Sequence, residues 1–296
     1  MAAEGTHGTS ARRSKWGPMG RVKMIDVSAA YLQWLGVAPL APRTAPFDPG
    51  YDAGTVEGHC LQSGHLMAAL KLSMACWQLA AWSQTERKVR AAHASGVAVV
   101  TGGGPFEIAV ARGMLDEYLD LCAKAKVDRI EAGAGFTEMG LQPSDVVRRA
   151  GSRGMSTQFE LGGKHDGPFE DASMADLVDT GRRWLDAGAC CLVVEARESA
   201  RAVGLFAADG SFAGRLADVL ADAFGLDLLM FEAPDKRSQF ALLEHFGPSV
   251  GLCNVRLEEL LRVEIYRRGL HSDAFVSPSV GLLARRPGRQ QDAPMR

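Results

Sequence analysis

Residues 156–195 read STQFELGGKHDGPFEDASMADLVDTGRRWLDAGACCLVVE, and this stretch decides the fold. Ser156 to Leu161 is a short apolar run of β type, followed by a Gly-rich and polar turn. Met174, Leu177, Val178, Gly181 and Leu185 then recur at helical spacing, with Gly188 placed as a C-cap, before a second apolar run from Cys191 to Val194. Strand, turn, amphipathic helix and strand make a βαβ unit, and continuous apolar strands of this kind belong to parallel sheets covered on both faces.

The same unit recurs on either side. Further strands are predicted at Val97 to Val100, Arg129 to Ala132, Leu228 to Phe231 and Gly251 to Cys253. Weaker candidates at Ala45 to Phe47 and His65 to Ser73 bring the count to eight, which favours a closed barrel over an open doubly wound sheet. Ile108, Ala111, Leu115, Leu119 and Cys122 share one helix face, and a long helix runs from about Leu257 to Arg268, ending at Gly269. The reading is an α/β protein with a single (β/α)8 TIM barrel over residues 41–276. A partly disordered N-terminal tail covers 1–40 and a mobile C-terminal tail covers 277–296.

Composition narrows the function. The 296 residues carry 33 Lys plus Arg against 35 Asp plus Glu, a net charge of −2, so no overall field recruits nucleic acid or an anionic membrane. The first twenty residues carry basic charge without an apolar segment and do not read as a secretory signal, and no apolar run is long enough to span a bilayer. The six cysteines form no CxxC pair and fit reduced thiols in a cytoplasmic protein. Barrels often assemble, so a homo-oligomer stays open.

Several strands end in an acid: Glu131, Glu160, Glu195 and Glu232. In a barrel such positions converge on one mouth, where active sites form. Carboxylates gathered there oppose each other's ionisation and call for a cation, for which a hard divalent ion such as Mg²⁺ is the natural candidate. The alternative is that each pairs separately with a neighbouring Lys or Arg at the rim. Lys164, Arg197 and Lys236 follow the same strand ends, and Arg43 and Lys71 lie near the first two strands, placed to clamp a phosphate or carboxylate. Gly102, Gly103 and Gly104 offer backbone N–H groups before a helix, either an anion cradle or a plain turn. No histidine spacing suits zinc, and GxSxG, GxxxxGK[ST] and strand-linked GxGxxG motifs are missing, which argues against a serine hydrolase, a P-loop enzyme and a dinucleotide-dependent enzyme.

The ordered segments GGGPFE (102–107), FELGGK (159–164), VVEARES (193–199), FEAPDKRSQ (231–239) and LLRVEIYRRGL (260–270) resemble the phosphosulfolactate synthase family, over roughly Pro42 to Phe275. The resemblance implies Mg²⁺-dependent addition of sulfite to phosphoenolpyruvate, giving phosphosulfolactate. In that scheme Glu160, Glu195 and Glu232 hold the metal, which stabilises an enediolate. Lys164 protonates the carbanion, with Glu160 and Arg197 beside it in the catalytic set. Arg43, Lys71, Gly103, Gly104, Lys236, Gln239 and Asn254 are assigned to binding the substrate and its phosphate.

The chain departs from the family pattern in places. EAGAG (131–135) stands for E-I-S-x-G, so a hydroxyl is lost, and Gly163 stands where the family has one of two lysines. Ala200 replaces a glycine, His271 replaces an arginine, and the second strand lacks the usual Gly-Thr ending. These differences leave open another small nucleophile or substrate, or a non-catalytic relative of the kind seen in plant heat-stress proteins.

Overall fold

The computed structural model describes residues 24–137 and 140–281. The chain divides into two units, Met1–Ala38 and Pro39–Arg296. In the first, α1 (Met24–Trp34) is helical, although it falls within the predicted tail. The rest of that predicted tail, up to residue 23, lies outside the described residues.

The second unit holds eight strands: β1 (Thr44–Asp48), β2 (Leu70–Leu72), β3 (Val99–Thr101), β4 (Arg129–Ala132), β5 (Ser156–Leu161), β6 (Leu192–Val194), β7 (Leu229–Glu232) and β8 (Gly251–Arg256). Each pairs in parallel with the next, and β8 closes on β1, so the protein is a (β/α)8 barrel. Around it run α2 (Ala53–Ser63), α3 (Cys76–Leu79), α4 (Trp82–Ala94), α5 (Gly103–Ala111), α6 (Leu115–Lys124), α7 (Pro143–Gly151), α8 (Asp171–Asp186), α9 (Gly214–Phe224), α10 (Lys236–Phe246) and α11 (Leu260–Arg267).

Strand periodicity explains why the acids converge. Successive side chains point to opposite faces, so when Phe159 and Leu161 pack outward in the main core, Glu160 between them points into the barrel. Ile130 and Ala132 flank Glu131 in the same way. The interior is filled lower down by a small layer of Ala45, Ala69, Val100, Val193 and Cys253. Outside, the Phe159 ring stacks on Trp184 of α8 at 4.2 Å, tying β5 to its covering helix.

Several boundaries differ from the expectations. The predicted strand at 65–73 shrinks to three residues, because Gly64–Leu66 forms a 3-10 turn first. The single helix face from Ile108 to Cys122 is broken: α5 stops at Ala111, Gly113 turns the chain with φ +67°, and Ile108 faces solvent at 53% exposure. The predicted 257–268 helix opens as a 3-10 turn, Leu257–Glu259, before α11. Ala187 caps α8 and Gly188 follows it with φ +102°. In the predicted C-terminal tail, Val280 is buried and the Ser277 hydroxyl donates to Glu244 at 2.5 Å, so 277–281 is packed; 282–296 lies outside the described residues.

The opposite rim, where strands begin, is closed by α11. Fully buried Arg267 donates to Glu264 at 3.0 Å, to the Thr44 hydroxyl at 2.9 Å and to the Pro248 and Val250 carbonyls at 2.8 and 2.7 Å. Thr44 in turn donates to Glu264 at 2.6 Å, and Arg268 also pairs with Glu264. The closing E-x-x-R-x-G-L segment is therefore a structural clamp between β1, β8 and α11.

Candidate active site

A cavity of about 590 Å³ opens at the ends of the strands. It is lined by Lys71, Ser73, Met74, Gly102, Gly103, Gly104, Glu131, Phe136, Glu160, Lys164, Glu195, Arg197, Glu198, Ser199, Glu232 and Asn254. Its floor is four buried carboxylates, Glu131, Glu160, Glu195 and Glu232, against the two ammonium groups of Lys71 and Lys164.

Each cation bridges two acids. Lys71 lies 2.8 Å from Glu131 and 3.5 Å from Glu232. Lys164 lies 2.6 Å from Glu160 and 2.8 Å from Glu195, with a quarter of its side chain still open to solvent. Burial works against charge on both lysines, but the neighbouring carboxylates outweigh it and hold both pKa values above the ordinary lysine range.

With two ammonium groups among four carboxylates the floor carries excess negative charge, and two of the acids have raised pKa values. Burial, with the charges of Glu131 and Glu195, pushes Glu160 well above the usual carboxylate range. Burial and the Glu195 charge push Glu232 up to about 8. Burial would raise Glu195 as well, but hydrogen bonds from Glu160 and Glu232 and the charge of Lys164 hold it down at about 2. Glu195 is thus held toward its charged form, while Glu160 and Glu232 are pushed toward their neutral forms. Glu232 further accepts from the Ala196 and Arg197 N–H groups, both at 2.9 Å, and from the Asn254 amide.

Among the described residues no group of three or more His, Cys, Asp or Glu side chains is arranged to hold a metal ion, so Glu160, Glu195 and Glu232 do not stand as a ready three-ligand cluster. The donor chemistry nonetheless fits magnesium. The oxygens are hard, the row carries more acids than cations, and magnesium takes one or two carboxylates and completes its shell with water and substrate oxygen.

The fold brings Lys71, Gly103, Gly104, Lys164, Arg197 and Asn254 to this cavity and leaves three predicted residues outside it. Arg43 precedes β1, so it sits on the opposite rim, paired with Asp227 just before β7. Lys236 begins α10 and turns to Asp273 at 3.0 Å and to the Phe240 ring. Gln239 is buried behind the mouth, donating to the Ala233 carbonyl at 3.1 Å and to Glu259 at 2.8 Å, and accepting from Arg262. The triple glycine lines the cavity, but the Gly103 N–H is taken by Glu131 at 2.8 Å, which caps α5 with protein charge in place of a ligand.

The departures have physical counterparts. At Gly133 a Cβ would lie 3.3 Å from Oε1 of Glu107, a buried oxygen with no hydrogen-bond partner, beside the point where the family's hydroxyl is expected. At Gly163 the space a side chain would enter is filled by Asp166, whose Oδ2 lies 1.9 Å from an added Cβ. His271 caps the following 3-10 turn by accepting from the Asp273 N–H at 3.1 Å and packs edge-on to Phe240. Ser73, Met74, Phe136, Glu198 and Ser199 also line the cavity without having been singled out as site residues, although Glu198 and Ser199 lie in the segment VVEARES that carries the resemblance.

Ala200, where the family has glycine, is buried with φ +47°, next to Arg197 at +57° and Ala202 at +52°. A left-handed backbone costs an L side chain energy that glycine avoids. Ala200→Gly is expected to stabilise the fold by about 1 kcal/mol, read as a higher urea midpoint at unchanged m-value.

The chain is similar in sequence to known proteins across the barrel. A family profile described as (2R)-phospho-3-sulfolactate synthase (ComA) matches residues 43–273. The phosphosulfolactate synthase of Methanocaldococcus jannaschii is 34% identical over 181 residues, covering 61% of this chain and 72% of its own length. That of Methanothermobacter thermautotrophicus is 30% identical over 177 residues, covering 59% and 68%. That of Bacillus subtilis is 27% identical over 202 residues, covering 64% and 75%. No helix among the described residues is long and apolar enough to cross a membrane.

Proposed function

The chain belongs to the phosphosulfolactate synthase family, and from that premise we propose that it joins sulfite to phosphoenolpyruvate in the cavity at the barrel mouth. The observation that carries the reading is Lys164, held between Glu160 and Glu195 over a buried acidic floor and still reachable from solvent.

The sulfite sulfur bonds to the methylene carbon of phosphoenolpyruvate, the carbon–carbon π pair moves onto C2 and the carboxylate, and a proton delivered to C2 completes phosphosulfolactate. Lys164 is the donor this reading assigns: its ammonium is fully charged, and the carbanion it meets is far more basic than an amine. Glu160 and Glu195 aim that ammonium, and a fixed donor needs no reorganisation as charge develops. Arg197, tied to the Lys164 carbonyl at 3.1 Å, stands at the exposed lip where a phosphate would arrive. Lys71 stays deep, keeping Glu131 and Glu232 in place. When bound, Mg²⁺ would supply a hard cation for the substrate carboxylate, held by oxygens drawn from Glu160, Glu195 and Glu232.

A second reading, another small nucleophile in place of sulfite, is favoured by one observation: Gly163 and Asp166 occupy the place of a family lysine. Phosphorus NMR of the protein with phosphoenolpyruvate, sulfite and Mg²⁺ separates the two. A new phosphate-ester resonance that needs sulfite and vanishes with EDTA is the expected result. Binding of phosphoenolpyruvate without sulfite addition would instead support the second nucleophile.

A further inference from the structure

Glu107 lies on α5, wholly buried, and takes no part in the chemistry proposed above. One of its oxygens, Oε2, accepts three hydrogen bonds from the loop after β4: from the Phe136 N–H at 2.9 Å, the Thr137 N–H at 3.0 Å and the Thr137 hydroxyl at 3.2 Å. Its other oxygen, Oε1, has no partner and faces the gap between Gly133 and Gly135. From Gly135 the loop reaches the reacting lysine directly, because the Gly135 carbonyl accepts the Lys164 N–H at 2.8 Å. An added Cβ at Gly135 would lie 3.0 Å from Lys164 Cγ and 3.4 Å from Glu107 Oε1, so the carboxylate and the lysine stem flank the same point.

We infer that Glu107 is a positioning residue, fixing the loop of residues 133–137 and, through the Gly135 carbonyl, the seat of Lys164 between Glu160 and Glu195. A segment with two glycines and a cavity-lining phenylalanine has little to order it, and a buried carboxylate oxygen taking three donors anchors it to a helix. Lys164 must meet two acids at once, and a misplacement of about 1 Å in such a group lowers turnover by about a hundredfold. The charge of Glu107 matters less than its length.

The inference rests on the reading of Lys164 as proton donor, so two of its three readouts need no turnover. Glu107→Asp keeps the charge and shortens the reach; Glu107→Gln keeps the reach and an acceptor oxygen while removing the charge. Amide exchange at Phe136 and Thr137, reductive methylation of Lys164, and kcat with KM are measured for both. For Glu107→Asp, exchange and methylation are expected to rise by about tenfold, with kcat down by about thirtyfold at nearly constant KM. Glu107→Gln is expected to match the parent protein in all three. The assignment is overturned if Glu107→Asp leaves exchange and methylation unchanged, or if Glu107→Gln changes them as much as Glu107→Asp does. Should Glu107→Asp fail to fold, Thr137→Val takes its place with an expected rise of about threefold, and unchanged rates there also overturn it. If the parent protein does not join sulfite to phosphoenolpyruvate, the functional reading fails, while exchange and methylation still decide the role of Glu107.

Discussion

Lys164→Ala is expected to lower kcat by about a thousandfold while phosphoenolpyruvate still binds, the size of effect a positioned general acid supplies. Lys164 is the cation at 2.6 and 2.8 Å from the central acids, and it reaches solvent where Lys71 does not. Its loss also leaves Glu160 and Glu195 facing each other with no ammonium between them, so the cavity repels an anionic substrate more strongly and KM rises modestly. Steady-state kinetics checks this, with calorimetric titration of phosphoenolpyruvate as the binding control. A variant that turns over within a few-fold of the parent protein would remove Lys164 from the proton step.

The largest stability effect is expected far from that mouth. Arg267→Met should destabilise the fold by about 4 kcal/mol, because it takes the fully buried guanidinium from Glu264, which keeps only Arg268 and Thr44, and orphans the Pro248 and Val250 carbonyls. The clamp sits on the rim where β1 and β8 begin, so the molecules that remain folded should keep kcat and KM. Urea unfolding followed by circular dichroism measures the loss. A change of under about 1 kcal/mol would show that the segment does not hold the barrel shut.

The barrel was legible because a parallel strand buried on both faces is a dense apolar run, and six of the eight stood out that way. The short β2 and proline-bearing β1 did not, since three residues of strand carry little pattern. The acids of the mouth were legible for a related reason: Glu131, Glu160, Glu195 and Glu232 interrupt apolar runs at the strand ends, where a charge has no other business. Cations were harder to place. Closeness to a strand in sequence does not say which rim a residue occupies, so Arg43, one residue before β1, lands on the wrong side of the barrel. Lys236 and Gln239 follow a strand end correctly, yet α10 directs one to Asp273 and buries the other against Glu259. Glu107 was hidden because its partners, Phe136 and Thr137, come from the next βα loop, and only the closed fold brings them together.

The departures from the family pattern also became readable only in three dimensions. The missing hydroxyl at 133 corresponds to an unpartnered oxygen on Glu107, and the missing lysine at 163 to space already held by Asp166. Neither change touches the pairing of Lys164 with Glu160 and Glu195.

The central claim is that the proton joining C2 of the adduct is delivered inside this cavity by Lys164, and reaction in D₂O tests it most directly. Phosphoenolpyruvate, sulfite and Mg²⁺ with the parent protein should give phosphosulfolactate carrying one deuterium at C2, of a single configuration, and none at C3, with Lys164→Ala slowing its appearance about a thousandfold. Unchanged phosphoenolpyruvate, deuterium at C3, or equal rates in the two proteins would contradict it.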